Sequence, residues 1–176
     1  MILWLLHLPK PIVMSHTNLR HNISIPGGYM LAEVINDELC SLKFIDKTID
    51  EAQDEHPIFG ILQFQLDDYY LGKLKKFTIP LNPEGTRFQR KVWTKVRSIP
   101  FGARISYAEL SELYGDKKAI RAVAKANGAN PIAILIPCHR IIGRDGDLTG
   151  YAWGIERKKA LLQHEMKFTP QHDLFS

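Results

Sequence analysis

Three side chains with chemistry of their own stand together at Cys138-His139-Arg140, directly after the apolar run that ends at Pro137. A thiol becomes a nucleophile when a neighbouring base or positive charge favours its thiolate. His139 can supply that base, directly or through a water. Adjacent residues on an extended segment point to opposite sides, which favours the water. A carboxylate on the far imidazole nitrogen would complete a Cys–His–Glu relay with the logic of a hydrolase triad. Glu165 is the candidate, because it shares one helical side with Lys158, Leu161 and Leu162. A carboxylate buried on such a stripe needs a partner. The competing reading is a helix-end glutamate turned to solvent.

These residues need elements to hold them. Ile132 to Ile136 read as a short, fully buried strand that leads into the cysteine. Gly143-Arg-Asp-Gly-Asp147 reads as a turn centred on Asp145-Gly146. A closing helix is expected from about Ile155 to Met166. Upstream, Thr86-Arg-Phe-Gln89 and Ser106-Tyr-Ala-Glu109 have the form of capping boxes. Phe88, Val92, Trp93 and Val96 then give helical spacing until Ile99-Pro-Phe-Gly102 breaks it. The helix after Ser106 should close at Gly115. Asp116 should cap a third helix, Lys117 to Asn127, closed by Gly128, with Ile120, Val123, Ala124 and Asn127 on one face. In the first half, residues 24–46 alternate around Asn36-Asp37 as a β-hairpin, with Cys40 as a small buried hydrophobe. A helix around Gly60–Leu71, a strand at Phe77–Leu81 and a turn-rich boundary at Asn82–Gly85 follow.

Length and composition suit one mid-sized domain or two small ones: 176 residues, 45% hydrophobic and 24% charged. No run approaches the ~20 apolar residues of a membrane-spanning helix. The start, MILWLLHLPKPIV, lacks both a basic region and a small-residue cleavage site, so export is not expected, and Met14 offers a second start. Two cysteines fit a reducing compartment better than a disulfide framework. The net charge of +4 conceals an asymmetry: residues 1–85 hold 7 basic and 11 acidic side chains, residues 86–176 hold 16 and 8. A basic surface on one half points to a polyanion, nucleic acid first. Two short helices joined by a glycine turn, the second basic through Lys117, Lys118, Arg121 and Lys125, form a helix-turn-helix pattern. The small residues Ala119, Ala122, Ala124 and Ala126 suit close approach to a partner, or equally tight helix packing.

On these residues two classes remain: a cysteine hydrolase with an acyl-enzyme intermediate, and a DNA-binding protein that uses its thiol on DNA. The basic helix-turn-helix favours the second. A regulator with an incidental buried cysteine would leave Cys-His-Arg unexplained.

The chain resembles the 6-O-alkylguanine-DNA alkyltransferases, also called methylated-DNA–protein-cysteine methyltransferases. The resemblance runs through Thr86-Arg-Phe-Gln-Arg-Lys-Val-Trp93, Ile99-Pro-Phe-Gly102, Ser106-Tyr107 and Lys118-Ala-Ile-Arg-Ala-Val123. It continues through Ala126-Asn-Gly-Ala-Asn-Pro131, Pro137-Cys-His-Arg140, Ile141-Ile-Gly143, Thr149-Gly-Tyr151 and Leu161-Leu-Gln-His-Glu165. It implies an α/β (α+β) protein. A small RNase-H-like domain would cover residues 1–85, with residues 1–20 as an extra or disordered leader. A winged helix-turn-helix domain over 86–176 would bind DNA and accept the alkyl group.

The implied reaction moves an alkyl group from the guanine oxygen irreversibly onto Cys138. His139 would take the thiol proton through a water, Glu165 would orient His139, and Tyr107 would protonate guanine N3. Asn130 would tie the DNA-binding helix to the active segment. The damaged base must leave the duplex, and Arg121 would fill its place in the stack. Lys117, Lys118, Ala119, Ala122, Lys125 and Arg90 would meet DNA from the minor groove. Tyr107, Ile141, Tyr151, Ala152 and Trp153 would line the base pocket. Carbonyls near Cys138 and Ile141 would accept from the guanine amine, and backbone N–H groups around Tyr151 and Ala152 would meet its oxygen. Arg140 is assigned to pin the bend after Pro137. The partner implied is double-stranded DNA carrying 6-O-alkylguanine, bound by a monomer able to cluster on DNA. No cofactor, metal or membrane is implied. Such a protein would work in the cytoplasm at the nucleoid, or in a nucleus.

The chain departs from the family pattern in three respects. Ala152 replaces a serine found in some members, and Trp153 stands where some have glycine and should narrow the pocket. Some relatives carry a structural zinc, for which His16, His21 and Cys40 are only loose candidates, so none is expected. Members with tryptophan for the cysteine bind damage without repairing it; Cys138 argues against that alternative.

Overall fold

The computed structural model describes residues 18–169. His16 and most of the expected leader lie outside that range. The first half is built on a three-stranded antiparallel sheet, β1 (Leu19–Ile25), β2 (Gly28–Ile35) and β3 (Glu38–Ile45), in that order. The expected hairpin is β2–β3. Its turn residues Asn36 and Asp37 both take left-handed φ, 51° and 62°, which matches a twisted two-residue hairpin. The strand β1 differs from the expectation: Leu19 and Arg20, which the expected leader includes, pair with Val34 and Glu33 and belong to the sheet.

Helix α1 (Pro57–Tyr70) packs over the sheet through Ile58, Phe59, Leu62, Gln65, Leu66 and Tyr69. It starts three residues before the expected Gly60, because His56 caps it and Pro57 fits its first turn. Phe77–Leu81 does not form the expected strand. Leu81 makes one isolated bridge to Leu39, and Pro80, which has no N–H, cannot extend a ladder.

In the second half both capping boxes are present. They open α2 (Arg87–Arg97) and α3 (Tyr107–Tyr114), and Gly115 closes α3 at φ 104°. Trp93 anchors α2: it is buried, and its indole N–H donates to the Ala126 carbonyl at 2.8 Å. Replacing it with alanine would cost about 3–5 kcal/mol. The third helix, α4, is shorter than expected, Ile120–Gly128. Asp116 caps the turn before it, accepting from the Lys118 N–H at 2.8 Å, so the helix starts late. At the other end Gly128 remains inside the helix and Ala129 takes the cap position, without a left-handed glycine. Val123, Ala126 and Asn127 form the buried face, whereas Ile120 is exposed. Helices α2, α3 and α4 pack together as the helix-turn-helix unit. A short parallel pair, β4 (Ile105–Ser106) and β5 (Ile141–Ile142), joins the entry of α3 to the chain after the cysteine. The glycine turn at 143–147 follows β5, and α5 (Ile155–Lys167) closes the chain.

The run Ile132–Ile136 is buried throughout, but it is a tight turn rather than a strand. Its start docks on β3: Leu42 N–H donates to Pro131 O at 2.9 Å and Ala133 N–H to Leu42 O at 2.8 Å. The chain then folds on itself, with Ile136 N–H donating to Ile132 O at 3.2 Å and Ile134 at φ 66°. A β-branched residue in that region is a strained outlier, costing roughly 1–3 kcal/mol. A wholly buried apolar run has no periodicity that separates the two outcomes.

Candidate active site

Asn130 builds the turn. Its Oδ1 accepts from Ile132 N–H at 3.0 Å, and its Nδ2 donates to Ile132 O at 3.1 Å and Ile136 O at 2.8 Å. The same Nδ2 lies 3.0 Å from Cys138 Sγ. Pro137 turns the chain, and Cys138–Arg140 form one 3-10 turn. All three side chains of that turn are buried.

Cys138 is only 3% exposed. Burial pushes its thiol up to about 11, against the opposing pull of Asn130 and of the Lys158 charge. At neutral pH the sulfur is therefore a thiol, and it needs a base to react.

His139 is completely buried, and its Nε2 lies 2.9 Å from Glu165 Oε1. Burial lowers the pKa of the imidazole, and the hydrogen bond to Glu165 only partly restores it. A neutral ring that donates from Nε2 leaves Nδ1 as a bare acceptor, and Nδ1 has no hydrogen-bond partner among the described residues. This is the tautomer a base needs.

Glu165 is also completely buried, so the solvent-facing alternative is excluded. Arg140 grips it with two nitrogens: Nε donates to Oε2 at 2.9 Å and Nη2 to Oε1 at 2.8 Å. Burial alone would raise the carboxyl, but His139 and Arg140 outweigh that and hold it well below the usual range. Arg140 also donates from Nη1 to Ile99 O at 2.6 Å, which ties this turn to the chain just after α2.

Lys158 and Asn127 were not singled out for this site. Lys158 is buried, and its Nζ donates to Ile141 O at 2.5 Å and Thr149 O at 2.7 Å. Burial lowers its pKa to about 8. Lys158 lies on the same helical stripe as Glu165, so the spacing that points to one points to both. Asn127, buried on α4, reaches the Cys138 carbonyl with its amide nitrogen at 3.5 Å.

Tyr107 stands at the start of α3, its hydroxyl 3.4 Å from the carbonyls of Thr149 and Gly150. Burial raises its pKa, so the phenol keeps its proton. Tyr151 is buried, and its hydroxyl has no hydrogen-bond partner among the described residues. Trp153 packs edge-on against Tyr151 and against Phe44 of β3, with centroid separations of 5.2 and 6.0 Å. Ala152 is exposed between them. Ile141 is buried, and its carbonyl is engaged by Lys158.

On α4 and the turn before it, Lys117, Lys118, Arg121, Ala122 and Lys125 are exposed and Ala119 is half-buried. Lys117 pairs with Glu112 at 3.1 Å, and Arg90 turns back to the Gly85 carbonyl at 2.7 Å. Of the loose zinc candidates that can be described, the His21 ring stacks on Phe59, and the Cys40 thiol lies 3.5 Å from the Glu38 carbonyl.

Residues 87–167 match the family model described as the 6-O-methylguanine DNA methyltransferase DNA binding domain. A methylated-DNA–protein-cysteine methyltransferase of Mycolicibacterium paratuberculosis is 43% identical over 152 residues, covering 84% of this chain and 92% of that protein. The chain belongs to this methyltransferase family. A second such methyltransferase, from Mycobacterium bovis, is 49% identical over 153 residues, with 84% and 92% covered. The crystal structure of Mycobacterium tuberculosis O6-methylguanine methyltransferase superposes with a TM-score of 0.78 at 37% identity, covering 88% of this chain and 96% of that one. Mycobacterium tuberculosis OGT in complex with DNA gives 0.76 at 39% identity, covering 86% and 95%. The α/β fold with a helix-turn-helix second half is thus the family's own.

Proposed function

We propose that the protein repairs DNA by moving an alkyl group from the 6-oxygen of guanine onto Cys138. One observation carries this reading: Asn130 reaches the buried Cys138, the next residue His139 is held by Glu165 and Arg140 behind it, and the imidazole Nδ1 has no partner among the described residues. In the step, Cys138 Sγ attacks the alkyl carbon, an S–C bond forms and the C–O bond to guanine breaks. The thiol proton passes to His139 Nδ1 through a water. Tyr107 gives its proton to guanine N3, so that guanine leaves as a neutral base, and the phenol then recovers a proton from solvent. Glu165 keeps the imidazole in the required tautomer and stabilises it once charged.

The substrate base enters the site flipped from duplex DNA. Helix α4 lies in the minor groove, Ala119 and Ala122 allow close approach, Arg121 fills the vacated stack, and Lys117, Lys118 and Lys125 meet phosphates. Arg90 adds positive charge from α2. Tyr151, Ala152, Trp153 and Ile141 bound the base. The chain acts as one copy per lesion. Its domains divide near residue 85, so the sheet half forms one unit and the DNA-binding half, 86–176, the other. A thioether is not hydrolysed by a His–Glu pair, so each chain reacts once. The test is titration with duplex bearing radiolabelled 6-O-methylguanine. Transfer that stops at one methyl per chain supports the proposal; continued turnover contradicts it.

A further inference from the structure

Glu165 accepts from more donors than His139 and Arg140. The backbone N–H of Gly102 donates to Oε2 at 2.9 Å. A further donor comes from α1, where the Tyr69 hydroxyl donates to Oε1 at 3.0 Å across 96 residues of sequence. Tyr69 is completely buried. Its ring is held by Tyr70, Phe77, Phe101 and His164 at centroid separations of 5.3, 5.5, 5.8 and 5.0 Å. Burial, reinforced by the Glu165 charge, raises its pKa well above the usual value, so the phenol stays protonated and acts only as a donor.

We infer that Tyr69 is a positioning residue for alkyl transfer, acting through Glu165 to set the orientation and basicity of His139; the inference rests on the relay proposed above. Tyr69 and His139 address the same oxygen, Oε1. A hydrogen bond from the phenol withdraws electron density that Oε1 would otherwise offer to His139 Nε2–H, and it fixes the rotation of the carboxylate. Tyr69 therefore holds the imidazole less basic than Glu165 alone would make it. The other groups that act on His139 are Glu165 and Lys158 from α5 and Arg140 from its own turn, with Cys138 adjacent in the chain. Through this contact the first half of the molecule takes part in the chemistry of the second.

The test is single-turnover methyl transfer as a function of pH for the wild type, Tyr69→Phe and His139→Gln. The wild type should lose rate on the acid side as His139 takes a proton, and His139→Gln should remove that limb. Phenylalanine keeps the ring packing and removes only the donor. Tyr69→Phe should move the acid limb up by about half to one pH unit, a three- to tenfold loss of rate there, with the plateau near wild type. A merely structural role would lower the plateau and leave the limb in place, and a limb superimposed on wild type overturns the inference. If His139→Gln keeps the limb, the relay itself is wrong and the inference falls with it. A second measurement needs no substitution: 3-fluorotyrosine labelling makes the phenol a stronger donor. The His139 imidazole nitrogen resonances should then titrate at lower pH, and an unchanged titration contradicts the inference.

Discussion

The side-chain amide of Asn130 reaches Cys138 Sγ at 3.0 Å while holding the Ile132 and Ile136 carbonyls at 3.1 and 2.8 Å. One side chain thus shapes the turn and touches the sulfur proposed to accept the alkyl group. Asn130→Ala should leave the buried Ile132 N–H without the acceptor it has in Oδ1, at about 1–3 kcal/mol. It should also push the thiol above its present value of about 11. Carboxymethylation of Cys138 by iodoacetate would then need still higher pH, and methyl transfer at neutral pH would slow at least about tenfold. An unchanged pH dependence of carboxymethylation contradicts this.

Arg140 and Glu165 form a buried two-pronged ion pair, at 2.9 and 2.8 Å. Removing one partner of such a pair costs about 3–5 kcal/mol. The folded-state pKa of Glu165 lies below its unfolded value, so its stabilisation is complete above about pH 4.3 and is lost as pH falls through the folded value. His139, held neutral by burial, adds to the same trend: below about pH 6.5 the unfolded chain binds the proton more readily. Thermal melts from pH 3 to 8 should show stability rising with pH in the wild type. Arg140→Ala should melt lower and lose part of the slope at acid pH; a parallel curve would contradict the assignment.

Trp153 stands against Tyr151 and Phe44, with the small Ala152 before it. This wall should exclude large 6-O substituents. Inactivation by 6-O-benzylguanine should be slow in the wild type and at least about tenfold faster in Trp153→Gly, a difference of at least 1.4 kcal/mol. Equal and fast inactivation of both proteins contradicts a narrowed pocket.

Arg121 is exposed on α4, away from the buried face of Val123, Ala126 and Asn127. Arg121→Ala should slow transfer from duplex DNA by about tenfold or more, because the unstacked state loses its plug. Transfer from free 6-O-methylguanine should be unaffected. Equal loss on both substrates would assign Arg121 to the chemistry instead.

Much of this site was legible in local pattern. The capping boxes at Thr86 and Ser106 placed two helices, because their hydrogen bonds span three residues. Glu165 stood out as a carboxylate on an apolar stripe, and the same stripe carried Lys158. Other features depend on distant contacts. Ile132–Ile136 gave no period to separate turn from strand, and the outcome was decided by Asn130 and β3. The strand β1, with Arg20, His21 and Asn22 at its centre, has a weak alternation, and it forms because β2 supplies a partner. The Tyr69 hydroxyl meets Glu165 across 96 residues, and no local pattern announces such a pair.

The most direct measurement is intact mass after mixing excess protein with a duplex that carries one 6-O-methylguanine, alongside Cys138→Ala. The account predicts a gain of one methyl group, mapped to Cys138, in the wild type alone. No gain, with tight binding to the damaged duplex retained, would contradict it and leave a protein that senses damage without accepting the alkyl group.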